Sequence, residues 1–390
     1  MPLRPHQIDA TKAMFQHSKG QIIIPTGGGK TMCMINDAEQ RFRSTIADTI
    51  VVVAPRILLA EQLSSEFLEQ IDNVSVMHVH SGETPHYSST KIWDIYSWHK
   101  KTKGNKIIFT TYHSLEKVKT STIDVDTIYF DEAHNSVQRN FFPAVKFFAT
   151  YRANRCFFFT ATPKHSTTPF KAGMNDTKVY GQVIANVPAP KLVDQGYILP
   201  PKVEVYKSRL LRKDEIFADV ESEQMLSAID RLDVDKVLIC AKSTKQIINL
   251  TSQSDFCYEL NVRGYSWMYI TAKTGAIING KKVGRDQFFE TLNAWGKDDN
   301  KKFVVLHHSI LAEGINVKGL EAALFMRNMD YITISQTIGR VIRLGNVNKT
   351  HGKVCVPVYN NVGISTARKV EAVVDTVFNR GEPAISVITR

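Results

Sequence analysis

The stretch Ile22-Ile23-Ile24-Pro25-Thr26-Gly27-Gly28-Gly29-Lys30-Thr31 constrains this chain more than any other. Three β-branched residues predict a short buried strand. Three glycines and Lys30-Thr31 follow, and Met32-Cys33-Met34-Ile35 can continue as a buried helix. Strand, glycine loop and helix together form a cradle for phosphate. Glycines let backbone N–H groups turn inward on an anion with no Cβ in the way, and the helix N-terminus adds a partial positive charge. In such a cradle Lys30 reaches the β/γ-phosphates of a nucleotide, and the Thr31 hydroxyl ligates Mg2+. Ile24 stands where the pattern G-x-x-x-x-G-K-[ST] carries its first glycine. The alternative reading of this stretch alone is a glycine-rich turn followed by a chance lysine.

At 390 residues the chain has room for about two or three domains. A hydrophobic content of 43% lets each build a core. The net charge of +11, from 49 Lys and Arg against 38 Asp and Glu, favours a polyanionic partner such as nucleic acid. The 5 cysteines form no C-x-x-C pair, so neither a zinc site nor a disulfide framework is signalled. No apolar run has the length of a membrane span, and Met1-Pro2-Leu3-Arg4-Pro5 is neither a signal nor a transit peptide. An intracellular protein is expected, in the cytoplasm or, in a eukaryote, the nucleus or an organelle matrix, without a membrane partner.

Arg4-Pro5-His6-Gln7 opens an apolar helical pattern through Ile8, Ala10, Ala13 and Met14. A glutamine amide suits the N6/N7 edge of adenine, and an arginine plane can stack on a base. After the glycine loop, short apolar runs recur at Gln21–Ile24, Ile50–Ala54, Lys106–Phe109, Ile128–Phe130 and Cys156–Phe159. Helical spacing lies between some of them, as in Leu59, Leu63, Phe67 and Ile71. Continuous apolar strands separated by helices predict a parallel sheet covered on both faces. Polar or special residues follow each run: Gly27–Thr31, Pro55-Arg56, Thr110-Thr111, Asp131–His134 and Thr160–Pro163. Ligands of open α/β sheets sit at such carboxyl ends.

Asp131-Glu132-Ala133-His134 closes the run Asp126–Phe130. A strand delivering two acidic residues at its end, downstream of a phosphate loop, assigns Asp131 to Mg2+ and Glu132 to orienting and deprotonating a water. An acidic helix cap is the alternative. Thr160 and Thr162 end the next strand and can hydrogen-bond toward His134, transmitting the nucleotide state.

Prolines 163, 169, 188, 190, 200 and 201 mark a change of character. The expected organisation is a first domain over 1–190, a linker over 191–201 and a second domain over 202–390. Strands are predicted at Lys202–Tyr206, Lys236–Cys240, Trp267–Thr271, Phe303–Leu306, Ala322–Met326 and Val354–Val358, with helices at about 214–231 and 284–295. This half carries no glycine-loop lysine. Gln336-Thr337-Ile338-Gly339-Arg340-Val341-Ile342-Arg343 places two arginines one helical turn apart on one face. The first half has no arginine suited to complete a phosphoryl-transfer site, so one supplied by the second half is expected.

With these residues in order, the chain resembles a superfamily 2 helicase of the DEAH type. Arg4–Gln7 is similar to the adenine-reading Q motif, Pro25–Thr31 to motif I, Asp131–His134 to motif II, Thr160–Thr162 to motif III, Glu313–Asn316 to motif V and Gln336–Arg343 to motif VI. The stretch Leu192–Pro201, with the Arg4–Gln7 opening, resembles the group holding restriction-enzyme translocase subunits, DNA-repair helicases and phage branch-migration helicases. The resemblance implies two tandem RecA-like domains, each a mostly parallel sheet with helices on both faces, and an ATP cleft between them.

The resemblance also implies an ATP site of Arg4, Gln7, Thr26, Gly27, Gly28, Gly29, Lys30, Thr31, Gly314 and Asn316, with Mg2+ on Thr31 and Asp131. Lys30, Asp131, Glu132, Gln336, Arg340 and Arg343 would be catalytic, with Arg343 the arginine finger. His134, Thr160 and Thr162 would couple the site to movement. Nucleic acid would meet Pro55, Arg56, Ser81, Gly82, Thr110, Thr111, Lys242, Ser243 and Thr271, mostly through backbone phosphates. Two departures stand out: Asn316 replaces the aspartate usual in motif V, and His307-His308-Ser309 replaces a small Ala-Thr pair. The expected function is an ATP-driven helicase or translocase on duplex, branched or single-stranded DNA. An RNA helicase and a non-unwinding, ATP-gated subunit of a larger complex are the alternatives, and a protein partner would set substrate choice.

Overall fold

The computed structural model describes residues 2–44, 48–207, 217–271, 273–308, 317, 319–327, 329–345, 349–358 and 361–388. The chain divides into two compact units, Met1–Pro188 with Pro383–Arg390, and Ala189–Glu382. Both have the RecA-like architecture, a mostly parallel sheet flanked by helices.

The strands of the first unit are β1 (Lys19–Ile23), β2 (Thr49–Ala54), β3 (Ser75–Val79), β4 (Tyr87–Ser88), β5 (Lys106–Thr111), β6 (Val125–Phe130), β7 (Ala153–Thr160), β8 (Lys164–Ser166) and β9 (Val183–Asn186). Eight of them form a sheet in the order β4-β3-β5-β2-β6-β7-β1-β9, parallel throughout. β2, β5 and β6 are buried along their whole length, which explains their unbroken apolar runs. Phe130 and Phe158 stack across β6 and β7 with ring centroids 4.9 Å apart.

Helix Lys30–Ser44 returns from the glycine loop and buries Cys33, Met34, Ile35, Asp37 and Ala38. Asp37 is shielded completely, and Arg155 of β7 meets it with two hydrogen bonds of 2.9 and 2.7 Å. The Tyr129 hydroxyl donates to the same carboxylate at 2.5 Å. A bidentate pair with a third donor satisfies a buried charge and fixes this helix, and so the loop ahead of it, on the sheet.

The second unit contains β10 (Pro201–Lys207), β11 (Lys236–Cys240), β12 (Ser266–Thr271), β13 (Gly275–Ile278), β14 (Lys281–Val283), β15 (Phe303–His307), β16 (Ala322–Phe325) and β17 (Gly352–Val358). Their order is β10-β17-β16-β11-β15-β12-β13-β14. The pairings are parallel except for β12–β13 and β13–β14. The turn between β13 and β14 has Asn279 at φ 44° and Gly280 at φ 80°, the left-handed pair that a two-residue hairpin needs.

The structural boundaries differ from the sequence reading in two places. The second unit begins at Ala189, with helix Ala189–Asp194 in the stretch where the prolines cluster, and Leu192 and Ile198 are buried. The last strand, β18 (Ser386–Ile388), pairs in parallel with β8 and belongs to the first unit, because β8 offers it an open edge. Among the described residues no helix is long and apolar enough to cross a membrane.

Candidate functional site

In the first unit β1, β7 and β6 are neighbours, so three polar loops leave the carboxyl edge of the sheet side by side. β1 delivers the glycine loop, β7 delivers Thr160–Thr162 and β6 delivers Asp131–His134. The Ile24 N–H donates to the Thr160 carbonyl at 3.1 Å, so the loop starts from a fixed point. Gly27 and Gly29 both have φ of 85°, a backbone that only glycine adopts freely. At Gly29 space is closed as well, since a Cβ would lie 2.3 Å from Gln7 Nε2.

The residues ahead of the loop brace it from behind. Helix Pro5–Gln16 starts with reciprocal capping, in which the Arg4 N–H donates to Gln7 Oε1 at 2.8 Å. Gln7 Nε2 donates to the Gly29 carbonyl at 3.2 Å, and His6 Nε2 lies 2.7 Å from the Gly28 carbonyl. His6 is a residue the sequence reading missed. It is buried, and its place in the first turn of this helix was the available signal.

Lys30 Nζ lies 3.5 Å from Glu132 Oε1. Glu132 has φ 44° and ψ 54°, a left-handed conformation rare for a side chain of this size. That turn swings Glu132 away from the line of β6, while Asp131 stays buried at its end with its N–H bonded to the Val53 carbonyl at 2.9 Å. Burial, and then the Glu132 carboxylate beside it, push Asp131 above the ordinary carboxylate range; Lys30 pulls it back down. Such a carboxyl is stabilised in its charged form by a divalent cation, which fits the Mg2+ expected on Thr31 and Asp131. The Thr26 hydroxyl oxygen is shielded and has no hydrogen-bond partner, an unused polar atom in the cradle.

His134 receives a hydrogen bond on Nε2 from Asn135 at 3.2 Å, which leaves the ring proton on Nδ1. Nδ1 then faces Thr160 Oγ1 at 3.1 Å and Thr162 Oγ1 at 3.4 Å. The structure thus brings together the acidic loop and the Thr160–Thr162 turn. Tyr112 adds a further tie, its hydroxyl donating to the Asp131 carbonyl at 2.9 Å.

In the second unit helix Tyr331–Val341 carries Gln336 and Arg340, both buried. Asp330 caps it, accepting from the Thr333 N–H at 2.8 Å. Arg343 follows the helix, and its carbonyl accepts from Lys349 Nζ at 2.7 Å. Lys349 Nζ also donates to the Leu320 carbonyl at 2.7 Å, and burial lowers its pKa to about 8. Gly314 and Asn316 lie outside the described residues.

The proposed nucleic-acid residues fall into two groups. Arg56, Ser81 and Lys242 are exposed at strand ends, with Gly82 beside Ser81 and Ser243 capping helix Thr244–Ser252. Pro55, Thr110, Thr111 and Thr271 are buried. The Thr110 hydroxyl donates to the Val79 carbonyl at 2.9 Å, and Thr111 and Thr271 accept from the N–H groups of Ser114 and Thr274. Behind Ser81-Gly82 runs a directional chain. The Gly82 N–H donates to His80 Nδ1 at 3.2 Å, His80 Nε2 faces His78 Nδ1 at 2.9 Å, and His78 Nε2 faces Ser64 Oγ at 3.0 Å. Burial lowers the His78 pKa to about 3, so the chain stands with both rings neutral.

Residues 1–165 match the family model described as Type III restriction enzyme, res subunit. No curated protein matches the chain. Among solved structures, the chain resembles the ATP-dependent Type ISP restriction-modification enzyme LlaBIII bound to DNA, with a TM-score of 0.76 and 17% identity over 100% of this chain and 31% of that one. It also resembles a nuclease-deletion mutant of the Type ISP enzyme LlaGI in complex with a DNA substrate mimic, with a TM-score of 0.68, 19% identity, and 99% and 30% of the two chains covered. A fragment of a putative HsdR subunit of a type I restriction enzyme from Vibrio vulnificus follows at 0.61 and 15%, covering 99% and 68%. The chain therefore has the two-domain, helicase-like fold of restriction-enzyme subunits, and spans about a third of the length of the first two.

Proposed function

We propose that this chain is an ATP-driven motor of the DEAH type that moves along or remodels DNA. One observation carries the reading. A glycine loop, a lysine, a carboxylate pair and a His–Thr link converge at the carboxyl edge of one sheet, with Lys30 held 3.5 Å from Glu132. Two solved structures of the same fold have DNA or a DNA substrate mimic bound, which supports DNA as the substrate class.

The chemistry assigned to these residues is the attack of water on the γ-phosphorus of ATP. The new O–P bond forms as the bridging bond to the β-phosphate breaks, and the water proton passes to Glu132. Mg2+, held by Thr31 and Asp131, would neutralise charge developing on the phosphates. Before the nucleotide arrives Lys30 faces Glu132; phosphate oxygens compete for that ammonium and leave the Glu132 carboxylate to accept the proton. Turnover then requires Gln336, Arg340 and Arg343 of the second unit. Arg4, Gln7 and the backbone of Gly27, Gly28 and Gly29 bind nucleotide, as would Gly314 and Asn316. His134 Nδ1 lies 3.6 Å from Glu132 Oε2 and also faces Thr160 and Thr162, a route by which the state of the nucleotide would reach the DNA-binding loops.

Hydrolysis by the purified chain, measured with duplex DNA, single-stranded DNA and RNA at one fixed salt concentration, tests the assignment. Stimulation greater with DNA than with RNA is expected, and Glu132→Gln should retain ATP while losing turnover. Absence of hydrolysis with every nucleic acid overturns it, and a preference for RNA selects the RNA-helicase alternative. Strand displacement on forked and Holliday-type substrates separates unwinding from translocation alone.

A further inference from the structure

β16, β11 and β15 are adjacent and parallel, and Cys240 of β11 lies in register with both Phe325 and His307. The pairing continues beyond the strands: the Met326 N–H donates to the Cys240 carbonyl at 3.0 Å, and the Ala241 N–H to the His307 carbonyl at 2.8 Å. The three loops therefore leave the sheet together, and each brings a basic side chain: Arg327, Lys242 and His308. Arg327 NH1 donates to His308 Nδ1 at 2.9 Å. The same Nδ1 lies 3.4 Å from the Ala241 carbonyl, and the shorter contact to Arg327 is the one in which it accepts.

Arg327 is half-buried, and its Nε is shielded from solvent with no hydrogen-bond partner. No carboxylate of the described residues lies within ion-pair distance of it. The nearby acid, Asp330, already accepts the Thr333 N–H as a helix cap. Burial lowers the Arg327 pKa, and Asp330 offsets only part of that. A guanidinium offers a planar fork of donors that matches two oxygens of a phosphate, and its desolvation is offset only when an anion arrives. The same edge carries Ser243 at the N-terminus of helix Thr244–Ser252, whose first N–H groups favour an anion.

We propose that Arg327, oriented by His308 and flanked by Lys242, binds a phosphodiester oxygen of the nucleic-acid backbone. The proposal rests on the motor reading above and adds to it a contact outside the sequence motifs. It also accounts for His308, the departure from the usual small pair, which holds the guanidinium through Nδ1.

The test uses the whole chain and fluorescein-labelled duplex and single-stranded DNA, with affinity measured by anisotropy across a series of KCl concentrations. Each phosphate contact contributes about 0.7–0.9 to the slope of log K against log salt. Arg327→Gln should lower that slope by about one contact and weaken binding several-fold at moderate salt. Arg327→Lys should keep the slope, and His308→Gln should weaken binding less than Arg327→Gln. Thermal melting and binding of a fluorescent ATP analogue should stay at the wild-type values. Unchanged slope and affinity in Arg327→Gln overturn the proposal, as does a variant that loses ATP binding instead, which would assign the phosphate to the nucleotide. A wild-type chain that binds no DNA fails earlier and overturns the motor reading itself.

Discussion

The two units share an architecture and differ in what stands at the carboxyl edge of their sheets. In the first, the edge carries a left-handed glycine loop, one lysine and two carboxylates. In the second, the described edge carries Lys242, His308 and Arg327, with Arg340 on the following helix and no acidic pair. The first edge thus pairs a lysine with carboxylates, whereas the side chains named at the second are basic. The sheets differ too, since the first is parallel throughout and the second ends in an antiparallel hairpin. A shared fold can thus carry different side chains at the same edge of its sheet.

The division is broken most directly at the arginines. Arg343→Ala should reduce turnover by about 10³–10⁵ with ATP binding retained, whereas Lys30→Ala should lose both. Equilibrium binding of a fluorescent nucleotide beside steady-state hydrolysis reads the contrast. Binding that survives in Lys30→Ala would remove the phosphate-holding role assigned to Lys30.

A smaller effect concerns the foundation of the first unit. Arg155→Ala leaves Asp37 buried without its bidentate partner, and should destabilise this unit by about 3–5 kcal/mol. Urea unfolding followed in both units should show the loss in the first alone.

Acid should act on both units by one mechanism. Burial holds His78 and His307 at a pKa of about 3, well below the ordinary value of 6.5. The unfolded chain therefore binds protons that the folded chain refuses, and stability falls as pH drops from about 6.5 toward 3. His78→Gln should flatten this dependence for the first unit and leave the second unchanged, as melting curves between pH 4 and pH 7 would show. The smallest expected change is Asp330→Ala, which removes one cap of the arginine helix and should cost about 1 kcal/mol.

Much of this was legible in the residues. The glycine loop, Asp131-Glu132 and the Thr160–Thr162 turn occur where continuous apolar runs end, because buried parallel strands need no alternation and polar residues collect in their loops. The edges were harder. β3 contains His78 and β9 is half-exposed, so neither reads as an apolar run. The hairpin β13–β14 did carry its signal in Asn279-Gly280, but the flanking strands are too short to stand out. Local spacing also cannot reveal partners distant in sequence. Arg155 lies 118 residues from Asp37, and Arg327 meets His308 only through the register of the sheet. The left-handed turn at Glu132 was not legible either, since nothing in Asp-Glu-Ala-His demands it.

The pairing of β18 with β8 sets an order of assembly. Thr167 and Ile388 are 221 residues apart, yet the N–H of one donates to the carbonyl of the other. Closing so long a loop adds little to its entropy cost but imposes a delay, because the intervening residues must be synthesised first. During translation the phosphate cradle, made from residues 4–162, can form while the edge at β8 is still bare. An open strand edge invites pairing with other chains. Until residues 386–388 emerge β8 lacks this partner strand, and their return covers that edge.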